Sequence, residues 1–104
     1  MTDIDKLIKK ILVFRDARDW KQFHNPKDLA ISLVLEAGEV MEHFQWKSKE
    51  EIGEELADVY KYLMLLCNEL NVDIEKAVVK KIKKDGIKYP ISKAKGKHTK
   101  YSKL

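Results

Sequence analysis

A chain of 104 residues is long enough for one small domain. Its 44% hydrophobic content supports a core and excludes wholesale disorder, while only four Gly and two Pro argue against a turn-rich all-β design. The net charge of +4 is uneven: residues 86–104 carry six Lys and no acid, so the first 85 residues sum to −2, unlike a uniformly basic nucleic-acid binder.

The opening residues, Met1-Thr2-Asp3-Ile4-Asp5, are acidic and lack a long apolar run, so no signal peptide is expected. No stretch approaches the ~20 apolar residues of a membrane span, which argues against a membrane partner. A single cysteine, Cys67, cannot form an intramolecular disulfide; it suits a buried thiol in a reducing, cytoplasmic compartment.

Four helices are predicted. The first spans about residues 3–19, with Thr2 as N-cap and Ile4, Leu7, Ile8, Ile11 and Leu12 on one face beside Phe14. Trp20 to His24 breaks that pattern. Asn25-Pro26 then opens a second helix, Asn as cap and Pro at the first position, where its missing N–H is harmless. It runs to about Phe44 with a stripe of Leu29, Leu33, Ala37, Val40 and Phe44. Ser48-Lys49-Glu50-Glu51 is a capping-box sequence that starts a third helix reaching about Leu70. Its stripe is Ile52, Leu56, Val59, Leu63, Leu66 and Leu70. Asp73 caps a fourth helix to roughly Asp85, with Gly86 as its stop.

The third helix is apolar on more than one side. Tyr60, Met64 and Cys67 line one flank of its stripe, Tyr62 and Leu65 the other, leaving a thin polar line of Glu54, Lys61 and Asn68. So few helices cannot cover such a surface alone, which points to a homo-oligomer with this helix near the subunit interface. The expected fold is therefore an all-α four-helix bundle assembled as a homo-oligomer, with a domain over residues 1–90 and a basic, partly flexible tail over 91–104.

The chemistry lies in two carboxylate pairs. Glu36-Ala37-Gly38-Glu39 sits in a nearly apolar stretch of the second helix, and Glu55-Leu56-Ala57-Asp58 repeats the spacing on the third. Residues three apart project from one helix face, so adjacent helices can bring up to four carboxylates around a cleft. Packed together they repel, and a divalent cation removes the conflict; hard oxygen donors suit Mg²⁺, with Mn²⁺ as a substitute. A solvated helix face would show the same stripe of Ser32, Glu36, Glu39 and His43, so spacing alone leaves both readings open. Gly38 costs ~1 kcal/mol relative to Ala within a helix, which close helix approach or ligand access would explain. The chain has neither of the two common glycine-rich phosphate loops, no Glu-x-x-His di-iron pattern and no zinc spacing.

At these residues the sequence resembles the MazG-like superfamily of all-α nucleotide pyrophosphohydrolases, in its dCTP pyrophosphatase-like branch. The resemblance spans about Phe14 to Gly96 and rests on E-x-x-E followed by E-x-x-D. It is supported by Arg18-Asp19-Trp20-Lys21-Gln22-Phe23-His24, Phe44-Gln45-Trp46 and Lys88-Tyr89-Pro90. It implies Mg²⁺ held by Glu36, Glu39, Glu55 and Asp58. The activity implied is cleavage of a nucleoside triphosphate, such as dCTP or a related nucleotide, to monophosphate and pyrophosphate in nucleotide-pool housecleaning. By the same resemblance Trp20, His24 and Trp46 frame base and sugar, Tyr62 lines that pocket, and Lys81 and Tyr89 close on the nucleotide. A homodimer or homotetramer is also implied. Asp85 stands where relatives commonly carry Asn, exchanging a donor-acceptor for an acceptor and bringing base and sugar preference into question. With no better general base in view, Glu39 is the expected group to activate water. The rival expectation is a non-enzymatic helical module that binds nucleic acid through the Lys-rich tail. It leaves the internal carboxylate pairs unexplained.

Overall fold

The computed structural model describes residues 2–46, 48–98 and 100–103, apart from the side chains of His43, Gln45, Trp46 and Tyr101. All regular structure among the described residues is helical. The helices are α1 (Asp3–Ala17), α2 (Pro26–Trp46), α3 (Lys49–Glu69), α4 (Ile74–Lys88) and α5 (Ile91–Ala94), with short 3₁₀ turns at Lys21–Phe23 and Tyr101–Lys103. None is long and apolar enough to cross a membrane.

Caps place the helix starts where the sequence indicated. Thr2 Oγ1 accepts from the Asp5 N–H at 3.0 Å, and Asp5 accepts from the Thr2 N–H at 3.1 Å, a complete capping box. Asn25 Oδ1 accepts from the Asp28 N–H at 2.9 Å and starts α2. Ser48 forms only half of its box. Its Oγ accepts from the Glu51 N–H at 3.3 Å, but the hydroxyl itself donates to Glu51 Oε1 at 3.4 Å.

The ends differ more. The first helix stops at Ala17, two residues early, and Asp19 takes a left-handed φ of 54° that turns the chain into the 3₁₀ segment. After α3, Asn71 adopts φ 57°. The Val72 N–H then reaches the Cys67 carbonyl at 2.9 Å and the Asn71 N–H the Asn68 carbonyl at 3.3 Å, a Schellman ending. Gly86 does not end α4, which continues to Lys88. The stop comes from Pro90, which disfavours helical backbone at Tyr89. The tail also holds the four-residue α5, followed by Gly96 at φ 76°.

The chain divides into two compact units, Met1–Val72 and Asp73–Leu104. Within the first, α2 packs along α3, and α1 packs on α3. Its buried apolar residues are Ile11, Leu29, Met64, Leu65 and Cys67. This corrects the stripe assignments. On α3 the deepest residues are Met64, Leu65 and Cys67 from the flanks, while Leu56 and Leu70 of the expected stripe are exposed. On α2, Leu29 is buried but Ala37 and Phe44 are exposed, Phe44 at 74%. Helical period fixes which residues share a face, whereas the neighbour decides which face is covered. Ile31, Val34, Leu35 and Met41 leave much of α2 apolar and open. The thiol of Cys67 is buried as expected, and burial raises its pKa.

Candidate metal centre and adjoining cleft

The i,i+3 spacing on α2 and the pairing of α2 with α3 bring three carboxylates together. One oxygen each from Glu36, Glu39 and Glu55 lies within 4.8 Å of the others. Opposite ligands on an octahedral Mg²⁺ are ~4.2 Å apart, so small side-chain adjustments would close the group on one ion. Glu36 and Glu55 are half-buried and Glu39 is exposed. Asp58, the fourth expected member, lies outside this trio. It is half-buried, with Oδ1 3.8 Å from Lys61 Nζ.

Electrostatics concentrate on Glu36. Burial first, then a hydrogen bond with Glu55 and the charges of Glu39, Glu55 and Asp58, push its pKa from 4.5 up to about 7. Asp58 thus belongs to the same field although its oxygens do not join the trio. Glu36 Oε2 is shielded from solvent and has no hydrogen-bond donor among the described residues. An oxygen of this kind, in a set of hard anionic donors, fits a divalent cation. Gly38 is open: a Cβ there would meet none of the described residues within 4 Å, so packing among them does not explain the glycine.

About two turns beyond Glu55 on α3 a narrow cleft opens. Trp20, His24 and Tyr62, three residues expected around a nucleotide, all line it, with Ile11, Phe14, Arg15, Lys61 and Leu65; it encloses about 60 Å³. Phe14 and Trp20 meet edge to face, with centroids 5.8 Å apart, and the Arg18 guanidinium lies 3.6 Å from the Phe14 ring centre. Burial first, and then the charge of Arg15, lower the His24 pKa, which favours neutral imidazole.

Arg15 was not anticipated as a site residue. Its signal lay in the sequence: it follows Ile4, Ile8 and Ile11 at helical spacing, so a cation continues an apolar face.

The remaining expected residues are placed otherwise. The Trp46 side chain lies outside the described residues. Lys81, Asp85 and Tyr89 belong to the second unit. There Lys81 Nζ donates to Asp85 Oδ1 at 2.6 Å, one turn along an exposed face, and the Tyr89 N–H donates to the Asp85 carbonyl at 2.8 Å. The acid at position 85 thus has a cation beside it.

A family profile described as MazG-like matches residues 31–104. The chain belongs to the MazG-like family. Among MazG-like relatives it is 39% identical to dCTP pyrophosphatase 1 of Rattus norvegicus, over 88% of this chain and 61% of that protein. The human protein of that name is 38% identical over the same shares. The chain therefore spans about three fifths of the length of these curated relatives. A solved pyrophosphatase from Archaeoglobus fulgidus superposes with a TM-score of 0.76 at 35% identity, covering 86% of this chain and 94% of that one.

Proposed function

We propose that this MazG-like chain is a Mg²⁺-dependent nucleoside triphosphate pyrophosphohydrolase that releases nucleoside monophosphate and pyrophosphate, with dCTP or a related deoxynucleotide as substrate. One observation carries the reading: three carboxylates converge between α2 and α3, and α3, which supplies Glu55, also supplies Lys61, Tyr62 and Leu65 to the wall of an aromatic cleft. Glu55 and Tyr62 are about two turns apart on α3, about 10 Å along the axis. That span suits a nucleotide with its phosphates at the acidic centre and its base in the cleft. The similarity to proteins named dCTP pyrophosphatase 1 and to a solved pyrophosphatase supports the same activity.

In this proposal Glu36, Glu39, Glu55 and Asp58 hold the metal, with Asp58 turning from Lys61 towards the ion. When bound, Mg²⁺ supplies charge neutralisation on the phosphate oxygens. Glu39, the exposed member of the trio, orients a water molecule and takes its proton as the water oxygen bonds to the α-phosphorus. The bond from that phosphorus to the α,β-bridging oxygen breaks, and the electron pair leaves with pyrophosphate. Trp20, His24, Trp46 and Tyr62 frame base and sugar, and Lys81, Asp85 and Tyr89 contact the nucleotide. The open apolar face of α2 supports self-association as a homodimer or homotetramer. A cytoplasmic location accords with a buried free thiol, and nucleotide-pool housecleaning is the role we assign to the activity there.

Incubation with each dNTP and Mg²⁺, with products separated by chromatography, tests the reading. Monophosphate and pyrophosphate should appear in equal amounts, dCMP fastest, and EDTA should stop the reaction. Release of orthophosphate, or no turnover of any nucleotide, would refute it. Glu39→Gln should abolish turnover with helicity intact, and an active variant would remove Glu39 from its role.

A further inference from the structure

Arginine is seldom fully buried, yet Arg15 is only 5% exposed. Its place on the Ile4–Ile8–Ile11 face carries it into the interior, where it forms part of the cleft wall beside Trp20 and His24. Two carboxylates answer its charge. Asp16 Oδ1 accepts from Nε at 2.9 Å and lies 2.8 Å from Nη2, while Glu69 Oε1 stands 3.6 Å from Nη1. The second separation is too long for a hydrogen bond. Nη1 is therefore shielded from water and has no hydrogen-bond acceptor among the described residues, and His24 Nδ1 is likewise shielded without a partner. Two orphaned polar atoms thus belong to residues lining one mainly aromatic and apolar cleft.

We propose that Arg15 is a specificity-determining residue whose Nη1 donates a hydrogen bond to a carbonyl oxygen of the nucleobase held in the cleft. This rests on the nucleotide-hydrolase reading and deepens it. Asp16 and Glu69 already balance the guanidinium charge, so what remains is a directional donor rather than an anion site. That suits a neutral carbonyl better than a phosphate. The walls fit the same ligand, since Trp20 offers a ring face on which a base can stack. Away from water such a hydrogen bond is strong, and a ligand that fails to make it leaves the donor unsatisfied. Cytosine, thymine, uracil and guanine carry a carbonyl oxygen and adenine does not. Arg15 therefore selects against adenine. Neutral His24 supplies a second polar atom for the same ring.

The test varies the ligand before the protein. Binding of dCMP, dAMP and dIMP to the full chain is measured by calorimetry; dIMP differs from dAMP by a carbonyl in place of an amino group. The unaltered chain should bind dIMP and dCMP at least about tenfold more tightly than dAMP. Arg15→Lys keeps a cation beside Glu69 but loses the planar fork. It should bring the dIMP-to-dAMP affinity ratio close to one. Equal binding of dIMP and dAMP by the unaltered chain overturns the proposal. So does a variant that weakens all three ligands alike or keeps the original ratio. If Arg15→Lys fails to fold, the dIMP-to-dAMP ratio of the unaltered chain decides. Hydrolysis followed in parallel separates the two readings: discrimination without turnover sinks the hydrolase alone, and turnover without discrimination sinks the role of Arg15 alone.

Discussion

Glu36 ties the acidic centre to the stability of the fold in a way that can be measured without substrate. Its pKa rises from 4.5 in the unfolded chain to about 7 in the fold. Below pH 4.5 the group is protonated in both states and contributes no difference. Between about pH 4.5 and 7 the unfolded chain holds fewer protons at this position than the folded one, so stability falls as pH rises. Above pH 7 the deficit is complete. At about 1.4 kcal/mol per pH unit it amounts to about 3 kcal/mol. Glu36→Gln removes the charge and keeps the shape. In EDTA the variant should match the unaltered chain near pH 4.5 and exceed it by up to about 3 kcal/mol at pH 8. For a domain of this size that corresponds to a melting temperature more than about 10 °C higher. Added Mg²⁺ should cancel most of that difference at pH 8, because an ion at 100 times its dissociation constant stabilises the unaltered chain by ~2.7 kcal/mol and the variant has lost a ligand. Thermal melts followed by circular dichroism at pH 4.5 and pH 8, in EDTA and in Mg²⁺, make the comparison. Identical melts for the two proteins at pH 8 in EDTA would refute the assignment of strain to this carboxylate.

Gly38→Ala should stabilise the chain by about 1 kcal/mol, since a Cβ there meets none of the described residues; a fall in melting temperature would mean that a partner chain or ligand uses the space. Met64→Ala should cost about 2–5 kcal/mol in chemical denaturation, because Met64 is 2% exposed at the centre of the first unit. Asp85→Asn releases Lys81 from its 2.6 Å partner, so it should lower KM for a triphosphate while changing stability by less than about 1 kcal/mol, given how exposed the pair is. An unchanged KM in steady-state assays would remove Lys81 from the nucleotide site. Trp20→Ala should raise KM by about tenfold, the loss expected when base stacking is removed, with helicity retained.

Much of the fold was legible along the chain because its controls are local. Asn25, Ser48 and Asp73 start helices through hydrogen bonds to residues three positions away, and those bonds depend on no distant neighbour. The same locality put Glu36 and Glu39 on one face of α2. Gly86 misled because glycine permits a helix end without requiring one, whereas Pro90 constrains Tyr89 directly. Tertiary packing decided what no periodicity carries: that Met64 and Leu65 rather than Leu56 are covered, that three carboxylates converge while Asp58 stands beside Lys61, and that Arg15 is drawn into the cleft wall. Each of these depends on which neighbouring helix lies opposite and how far along it the contact falls. The charge a site accumulates follows from the same contacts, which is why the raised pKa of Glu36 emerges only once α2 and α3 are side by side.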